Sequence, residues 1–440
     1  MMTNELEPDV AVVGGGIGGL AAGIFLARQG RRVILFERSN SPGGRARTHN
    51  EDGFFMNLGP HALYRGGAGM RVLNDLGIQP SGNTPKTSGQ FAIKGGVKHT
   101  FPSGVVSMLA TGLFDLSAKL EAARLLGSVA KVVGADLMDV SVREWLDDAI
   151  SHADVRSFIQ AVFRLATYTN APDRMSAGVT LEQLKMAITS NVLYIDHGWQ
   201  TLVDALIQES ERAGVTIVTG ARVESMERTG AGAVKAVHLN DGRSYHVPVT
   251  VIASNPETAA ELVEGGDRSS LKQFADQSIP VKAACLDVAL DRLPQPNATF
   301  ALGIDTPVYY SVHSTSAKLA PEGAALIQLG KYLPPGYAEP PSVAERELEE
   351  LLDLVQPGWR EVLAHRRYLP ELVVYNAIPL AIRGGFKGRP SPEVADVPGL
   401  FLVGDWVGPE GLLADATLAS AKLAAGLAAR YQAESVALSV

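Results

Sequence analysis

The chain has 440 residues, of which 46% are hydrophobic and 20% charged, a composition typical of a globular protein large enough for two domains. Its formal net charge of −8, without any run of Lys or Arg, argues against nucleic acid as a partner. The single cysteine, Cys285, excludes an internal disulfide and fits a reducing cytosol. The nine histidines show no metal-ligand spacing, so no metal site is predicted.

The amino-terminal sequence predicts neither a secretory leader nor a membrane anchor. The polar start MMTNELEP leads directly into an apolar strand, and no apolar run reaches the roughly 18 residues that a transmembrane helix needs. We therefore expect a cytoplasmic protein. The most apolar surface candidate is VVSMLATGLFDL at residues 105–116. We expect a core helix there, and the alternative is peripheral contact with a membrane or a lipid substrate.

Residues 9–47 predict a βαβ unit that binds a dinucleotide. An apolar strand at residues 10–13 enters a glycine-rich turn, a helix follows at residues 20–29, and a second strand at residues 32–36 ends on Glu37. An acid at the tip of the second strand can accept hydrogen bonds from an adenosine ribose. A glycine-rich loop without a ligand is the alternative, but it does not explain why strand, helix, strand and acid follow in register.

The glycines of this turn have separate tasks in the prediction. Gly14 permits the tight turn, Gly16 lets the backbone approach a pyrophosphate, and Gly19 lets the helix pack closely on the sheet. Gly18 completes the same predicted cofactor loop. The N-terminus of the helix adds unpaired N–H groups and a partial positive charge, both of which favour phosphate.

Further strands and helices are predicted along the next part of the chain. Residues 54–64 (FFMNLGPHALY) predict a strand that enters a turn, and residues 103–190 are mostly helical. Residues 198–229 predict a helix followed by strands. Residues 232–254 predict a hairpin and then a buried strand.

The carboxy-terminal half continues this alternation. Residues 279–332 predict strands and turns, residues 342–365 a helix, and residues 395–440 a strand, a glycine turn and a long helix. The α/β signal is thus split into blocks, which predicts an α/β fold (α+β overall) with two discontinuous domains. We assign a dinucleotide-binding domain to residues 1–95, 195–255 and 395–440, and a substrate domain with a helical insertion to residues 96–194 and 256–394.

The sequence GGGIGGLAAGIFLARQGRRVILFERSNSPGGR resembles the fingerprint of the FAD-dependent amine oxidase, protoporphyrinogen oxidase and phytoene desaturase superfamily. The resemblance implies a Rossmann-like FAD-binding domain of the glutathione-reductase type, non-covalent FAD and a mixed α/β substrate domain. It also implies that Gly43 and Gly44 lie along the cofactor and that the planar guanidinium of Arg45 supports its phosphates. Arg38, next to Glu37, belongs to the implied cofactor site.

Two other segments carry the same resemblance. GLFLVGDW implies that Gly404 and Asp405 lie at the ribityl and pyrophosphate region of FAD. GLLADATLASAKLAA resembles the closing helix of the family. Its N-terminus, here Leu412 and Leu413, points at the N1–C2=O edge of the flavin and stabilises the reduced form. Val223 matches the position whose backbone reads the adenine.

Two side chains are predicted to be catalytic. GPHALY resembles the segment that passes beside the isoalloxazine ring, which implies that Gly59 and Pro60 contact the cofactor and that His61 and Tyr64 lie near the reactive ring. The alternative is a histidine that only orients the turn. Lys282 lies in an otherwise apolar strand, and in amine oxidases a lysine on a comparable strand holds a water against flavin N5. A surface lysine is the alternative, whereas burial would lower its pKa and suit a proton shuttle.

The predicted substrate depends on one departure from the amine oxidases. A tyrosine usually forms one wall of their aromatic cage at the start of the closing helix, whereas this chain has Leu412 there, with Tyr375 as a candidate for the other wall. An apolar wall favours a desaturase, dehydrogenase or oxidase. Such an enzyme would remove hydride from a C–C or C–N bond of a largely apolar small molecule, with flavin N5 as the acceptor.

Three alternatives stay open at this point: a flavin amine oxidase, a redox-neutral flavin-dependent isomerase, and a non-enzymatic escort-type carrier. The intact Glu37, Arg45 and Asp405 argue against the carrier. Only one glycine fingerprint occurs, so no NAD(P)H domain is predicted, and oxygen or a quinone is the expected electron acceptor. The sequence leaves a homodimer open.

Overall fold

The computed structural model describes residues 7–129, 131–263 and 269–437. Its strands are, in chain order, β1 (Val10–Val13), β2 (Val33–Phe36), β3 (Thr48–Glu51), β4 (Phe54–Asn57), β5 (Leu63–Tyr64), β6 (Gly82–Asn83), β7 (Gln90–Lys94), β8 (Val97–Thr100), β9 (Val192–Ile195), β10 (Thr216–Val218), β11 (Val223–Arg228), β12 (Val234–Leu239), β13 (Ser244–His246), β14 (Val249–Ile252), β15 (Val281–Leu290), β16 (Phe300–Gly303), β17 (Val308–Val312), β18 (Ala325–Leu333), β19 (Leu363–Tyr375) and β20 (Leu400–Leu402).

The α-helices of the described residues alternate with these strands and cluster between residues 105 and 190. They are α1 (Ile17–Arg28), α2 (Ala68–Asp75), α3 (Val105–Ala110), α4 (Leu116–Val129), α5 (Val142–Ala149), α6 (Ala153–Thr167), α7 (Ala177–Ser190), α8 (Gln200–Arg212), α9 (Pro256–Leu262), α10 (Ser270–Gln277), α11 (Pro341–Val355) and α12 (Leu413–Ala437).

A five-stranded parallel sheet forms the first layer, in the order β10-β2-β1-β14-β20. Its three central strands and β20 are short buried runs that are apolar except for Thr250 in β14, as expected for a parallel sheet covered on both faces. α1, α8 and α12 cover one face. The carboxyl ends of β1 and β2 therefore meet at the edge where the glycine turn and Glu37 lie, which confirms the predicted βαβ unit.

A seven-stranded sheet forms the second large layer, in the order β19-β15-β18-β17-β16-β7-β8. Its strands are antiparallel except for the parallel pair β16 and β7. α11 packs on one face. Apolar residues of α4 to α7 pack with the other face, so the predicted helical insertion lies over this sheet.

Two segments differ from the predicted domain assignment. β7 was assigned to the first dinucleotide segment, residues 1–95, but it pairs with β16 in the seven-stranded sheet. α9 and α10 were assigned to the substrate domain, but they pack with the core of the five-stranded sheet. The division into two domains otherwise stays a prediction, and residues 1–6, where the absence of a leader was predicted, and 438–440 lie outside the described residues.

The predicted helix at residues 342–365 is too long. α11 ends at Val355, and Gly358, with a φ of +84° after Pro357, turns the chain toward β19. In the ranges that the structure describes, none of the helices is long and apolar enough to cross a membrane.

Candidate active site

The glycine turn between β1 and α1 forms an open cradle. Gly14 has a φ of +109°, and a Cβ there would lie 2.5 Å from the carbonyl oxygen of Ala253. A Cβ on Gly19 would overlap the carbonyl oxygen of Gly14, and one on Gly18 would lie 2.7 Å from the side chains of Val403 and Thr417. Gly16, by contrast, has no atom within 4 Å of such a Cβ. Three glycines thus pack α1 onto the sheet, and Gly16 leaves its side of the turn open.

The N-terminus of α1 points its first N–H groups into this cradle. α1 begins at Ile17, and Gly16 before it, at the N-cap position, provides no capping side chain. The segment that contains Pro42 lies against the turn, because the Gly43 N–H donates to the carbonyl oxygen of Gly15 at 2.8 Å. A Cβ on Gly44 would lie 3.6 Å from the Cα of Gly16. The two glycine-rich segments predicted to follow one cofactor are therefore neighbours.

The Glu37 carboxylate is held at the end of β2 beside the cradle. Its side chain is buried, Oε2 accepts from the Gly15 N–H at 2.7 Å and Oε1 from the Ser39 N–H at 2.8 Å. Each oxygen keeps lone pairs for further donors such as ribose hydroxyls. Val223 is buried at the start of β11, close to where the Ala221 N–H donates to the Glu37 carbonyl oxygen, whereas Arg38 is exposed.

Arg45 connects the amino-terminal cradle with the carboxy-terminal segment. Its Nη2 donates to Asp405 Oδ2 at 2.5 Å and its Nη1 to the Val374 carbonyl oxygen at 2.9 Å, while 44% of the side chain stays exposed. Asp405 is buried, and its Oδ1 accepts from both the backbone N–H and the side-chain amide of Asn376 at 2.9 Å. Both Asp405 oxygens are therefore engaged by protein groups, and Arg45 presents the exposed part of the pair.

The start of α12 brings the predicted closing helix to the same region. Leu412 is fully buried, and Leu413 adopts a left-handed φ of +57° where the helix begins. The neighbouring Gly404 N–H donates to the Ser420 hydroxyl at 3.1 Å, which fixes the end of β20 to α12. This left-handed turn is a strained conformation for a leucine, as often found at functional sites.

Two buried ionisable groups at this helix start were not found by the sequence analysis. Asp415 Oδ1 accepts from the Gly69 N–H at 2.7 Å, and burial raises the pKa of this carboxyl to about 7. Arg389 donates to the Gly411 carbonyl oxygen at 2.7 Å, while its Nε and Nη2 have no partner among the described residues. Burial lowers the pKa of Arg389 to about 10, and Tyr375 and Asp405 favour its charged form. The sequence signal that could have revealed Asp415 is the position of an acidic residue shortly after the Gly411-Leu412-Leu413 turn.

The turn at Gly59 and Pro60 rests on the seven-stranded sheet. Gln328 Nε2 donates to the Gly59 carbonyl oxygen at 3.0 Å, and a Cβ on Gly59 would lie 3.0 Å from Cys285 Sγ. Asp287, on the same face of β15 as Cys285, is paired with Arg367 at 2.5 Å. Burial raises the pKa of Asp287 to about 6, while Arg367 opposes this shift and also donates to the Asn57 carbonyl oxygen.

His61 links this turn to Arg45. Its Nδ1 lies 3.0 Å from the Gly59 carbonyl oxygen and its Nε2 3.2 Å from that of Arg45, and its ring packs edge-on against Trp199. Burial lowers the pKa of His61 and favours the neutral ring, which carries a single N–H. Only one of the two carbonyls can then receive a hydrogen bond. These contacts fit the alternative in which His61 orients the turn.

Lys282 lies away from this turn. In β15, Lys282 shares a face with Ala284 and Leu286, which pack toward α11, whereas Cys285 lies on the opposite face. Its Nζ lies 3.3 Å from a carboxylate oxygen of Glu371, and 37% of its side chain is exposed. These contacts fit the alternative of a surface lysine, and the catalytic role of Lys282 stays a prediction.

A family model described as "flavin containing amine oxidoreductase" matches residues 17–428, which include the segment of Gly43 and Gly44, the Gly59 turn and the start of α12. The chain belongs to the flavin-containing amine oxidoreductase family. It is an FAD-dependent oxidoreductase with the α/β fold that the sequence predicted.

Relatives of this oxidoreductase differ in how much of it they match. A coproporphyrinogen III oxidase of Staphylococcus aureus is 25% identical over 258 residues, which cover 50% of this chain and 55% of the relative. A carotenoid 3,4-desaturase of Haloarcula japonica is 24% identical over 479 aligned positions, which cover 93% of this chain and 95% of the relative. The chain thus spans about half the length of the first relative and nearly all of the second.

The crystal structure of an oxidoreductase from Methanosarcina mazei has the same fold as this family member. It superposes with a TM-score of 0.72 at 19% identity and covers 94% of this chain and 98% of that one.

The geometry of the oxidoreductase fits FAD. The open side of Gly16 and the uncapped start of α1 suit a pyrophosphate, the Glu37 carboxylate suits a ribose, and the exposed guanidinium of Arg45 suits phosphate. The start of α12 adds a helix N-terminus that suits the electron-rich edge of a flavin. When bound, FAD supplies a hydride acceptor at N5.

A group of tyrosines surrounds the Gly59 turn on the side of the helical insertion. The Tyr168 hydroxyl reaches the Pro60 carbonyl oxygen at 3.5 Å, and its ring packs edge-on against Tyr332 at 6.0 Å. The Tyr332 hydroxyl is buried and has no partner among the described residues. Tyr64 is anchored on α6, because its hydroxyl donates to the Ala166 carbonyl oxygen at 2.8 Å. The sequence analysis predicted Tyr64 near the reactive ring but assigned no role to Tyr168 and Tyr332, since their partners are far apart in the chain.

Proposed function

We propose that the protein is a flavin-dependent desaturase, dehydrogenase or oxidase that removes hydride from a C–C or C–N bond of a largely apolar small molecule. The observation that carries this proposal is Leu412. It is fully buried at the start of α12, in one apolar cluster with Tyr375 and Tyr332. An apolar wall at this point favours a hydrocarbon-like donor carbon over an amine nitrogen.

The chain's own residues would position the substrate and exclude water. Tyr168, Tyr332 and Leu412 supply aromatic and aliphatic surface beside the Gly59 turn, where a closely packed site would favour hydride transfer from an oriented carbon. Neutral His61 would fix the turn against the backbone of Arg45. Lys282 would take no part in this proposal, which is supported by its ion pair with Glu371 and by the packing of its neighbours in β15 toward α11.

The relatives support the apolar substrate class. The matched desaturase is named for a carotenoid and the matched oxidase for a porphyrinogen. Oxygen or a quinone would serve as the electron acceptor. An amine oxidase is the second candidate, and Tyr375 is the residue that favours it; its buried hydroxyl is hydrogen-bonded with Thr169.

Rapid mixing of the oxidised holoenzyme with candidate substrates under anaerobic conditions tests the proposal. Detergent-dispersed polyenes and porphyrinogens should bleach the flavin absorbance, whereas primary amines should not. The variant Leu412→Tyr should slow bleaching by the apolar substrates at least about tenfold, because it replaces an apolar side chain by a larger one with a hydroxyl group. Faster bleaching by amines than by any apolar substrate would contradict the proposal in favour of an amine oxidase.

A further inference from the structure

The outer faces of α3 and α4 carry large apolar side chains that no element of the described chain covers. Between residues 105 and 120 five such side chains are 63–81% exposed. We define this set as the apolar patch: Val105, Val106, Leu109, Leu116 and Leu120. Isolated exposed leucines are ordinary on a protein surface, but a concentration of this kind marks an interaction surface.

The patch is not a core face that lost its partner. α4 already buries Ala118, Ala122 and Val129 on its inner side, and Met108 of α3 is buried as well. The two helices are tied together, because Lys119 donates its Nζ to the Leu109 carbonyl oxygen at 2.7 Å. A helix that is apolar on its outer as well as its inner face fits a surface that dips into a lipid layer. Of residues 105–116, predicted as a core helix, α3 covers only Val105–Ala110, and the segment buries Met108, Leu113 and Phe114.

The charges around the patch are basic, in a chain whose net charge is −8. Residues 97–133 contain four Lys or Arg and two Asp or Glu. Both acids accept hydrogen bonds from backbone groups: the exposed Asp115 from the Ala118 N–H at 2.8 Å, and Glu121 from the Ser151 N–H at 2.8 Å. The basic residues are Lys98 on β8, Lys119, Arg124 and Lys131.

From this arrangement we infer that the apolar patch docks the protein on a membrane surface that contains anionic phospholipids. The apolar side chains would enter the interface between headgroups and acyl chains, and the basic side chains would meet the phosphates. α4 packs on α6, and the residue that follows α6 is Tyr168, whose hydroxyl reaches the Pro60 carbonyl oxygen. The docked face thus belongs to the helices that border the proposed substrate region. The inference stands on the surface alone and does not require the proposed chemistry.

Co-sedimentation of the holoenzyme with vesicles tests this inference. Binding to vesicles of phosphatidylcholine with about 30% phosphatidylglycerol should exceed binding to pure phosphatidylcholine at least about tenfold and should weaken with added salt. The double variant Leu109→Asp/Leu116→Asp should lose this binding at least tenfold. Ile188→Asp on α7 is the matched control, since Ile188 is 56% exposed and lies outside the patch. It should bind like the wild type.

Three results would overturn the inference. These are equal binding to both kinds of vesicle, unchanged binding of the double variant, or a wild-type dimer that the double variant converts to a monomer without loss of vesicle binding. The last result would assign the patch to a second copy of the chain. Flavin absorbance and circular dichroism verify that each variant is folded. The proposed function is measured separately, as flavin bleaching with detergent-dispersed substrate, so failure of one leaves the other standing.

Discussion

At the scale of single residues, Glu37 is the side chain beside the cradle that we expect to bind the ribose of FAD. Its oxygens accept backbone N–H groups from both Gly15 and Ser39, so its position is set by the backbone and not by a flexible side chain. Substitution Glu37→Gln keeps the shape but replaces a charged acceptor and leaves one amide group facing backbone donors. We expect the Kd of FAD to rise at least about tenfold. Fluorescence titration of the apoprotein measures this, and exposed Glu224→Gln should bind FAD normally. An unchanged affinity for Glu37→Gln would refute the ribose assignment.

Lys282 gives a prediction of the opposite kind. Because its side chain is ion-paired with Glu371 on the α11 face, Lys282→Met should leave the rates of flavin reduction and reoxidation within about twofold of the wild type. Stopped-flow absorbance measures both rates. A loss of tenfold or more in either rate would show that Lys282 is catalytic and that its side chain reaches the flavin during the reaction.

The contrast between Glu37 and Lys282 shows what a single sequence can predict about a site. Glu37 follows its glycine turn within a local βαβ unit, so spacing alone predicts where its carboxylate lies. The face that Lys282 occupies depends on the register of β15 with β18, which lies about 40 residues further on. Asn376 and Arg389 were missed for the same reason, because their partners Asp405 and Gly411 become neighbours only in the folded chain.

At the scale of elements, we expect different glycines of the turn between β1 and α1 to be required for folding and for FAD binding. Gly16→Ala adds a methyl group that meets no protein atom within 4 Å, so the thermal stability of the apoprotein should hardly change. Its methyl group would face the pyrophosphate, and the affinity for FAD should fall at least about tenfold. Gly19→Ala should instead destabilise the fold by about 2 kcal/mol or more, because its Cβ overlaps the Gly14 carbonyl oxygen. Equal effects of both substitutions on apoprotein melting would contradict this division.

At the start of α12, the buried carboxyl of Asp415 should make the stability of the protein depend on pH. Burial raises the pKa of Asp415 from 3.8 to about 7, so the folded state holds this proton more tightly than the unfolded state. The resulting stabilisation is complete below about pH 4 and is lost as the pH rises toward 7. In Asp415→Asn, where the amide imitates the protonated acid, the decline in unfolding free energy between pH 5 and 7.5 should be smaller. Denaturant titration at each pH measures it, with exposed Asp139→Asn as the control. A variant that loses stability over this range as the wild type does would exclude a raised pKa.

Elements with local signals were predicted better than those that depend on distant partners. β1, β2 and β20 are continuous apolar runs next to a glycine or an acid, and they lie where they were expected. β7 was placed in the wrong layer because its partner, β16, follows about 200 residues later. Pro357 and Gly358 could have predicted from the sequence that α11 ends before them, but this signal was missed.

At the scale of the whole molecule, the two sheets provide different parts of one site. The five-stranded sheet supplies the glycine cradle and Glu37, and the seven-stranded sheet supports the Gly59 turn through Gln328. Arg45 joins both ends of the chain by its contact with Asp405. This arrangement explains why segments from distant parts of the sequence carry the resemblance to one family.

The most direct test of the account is the anaerobic reaction of the yellow holoenzyme with a dispersed polyene or porphyrinogen, followed by mass measurement of the product. We predict that the flavin absorbance bleaches and that the product has lost two hydrogens, as hydride removal from an apolar donor requires. An unchanged product mass would indicate a redox-neutral isomerase. A purified protein that neither contains nor takes up FAD would contradict the central claim altogether.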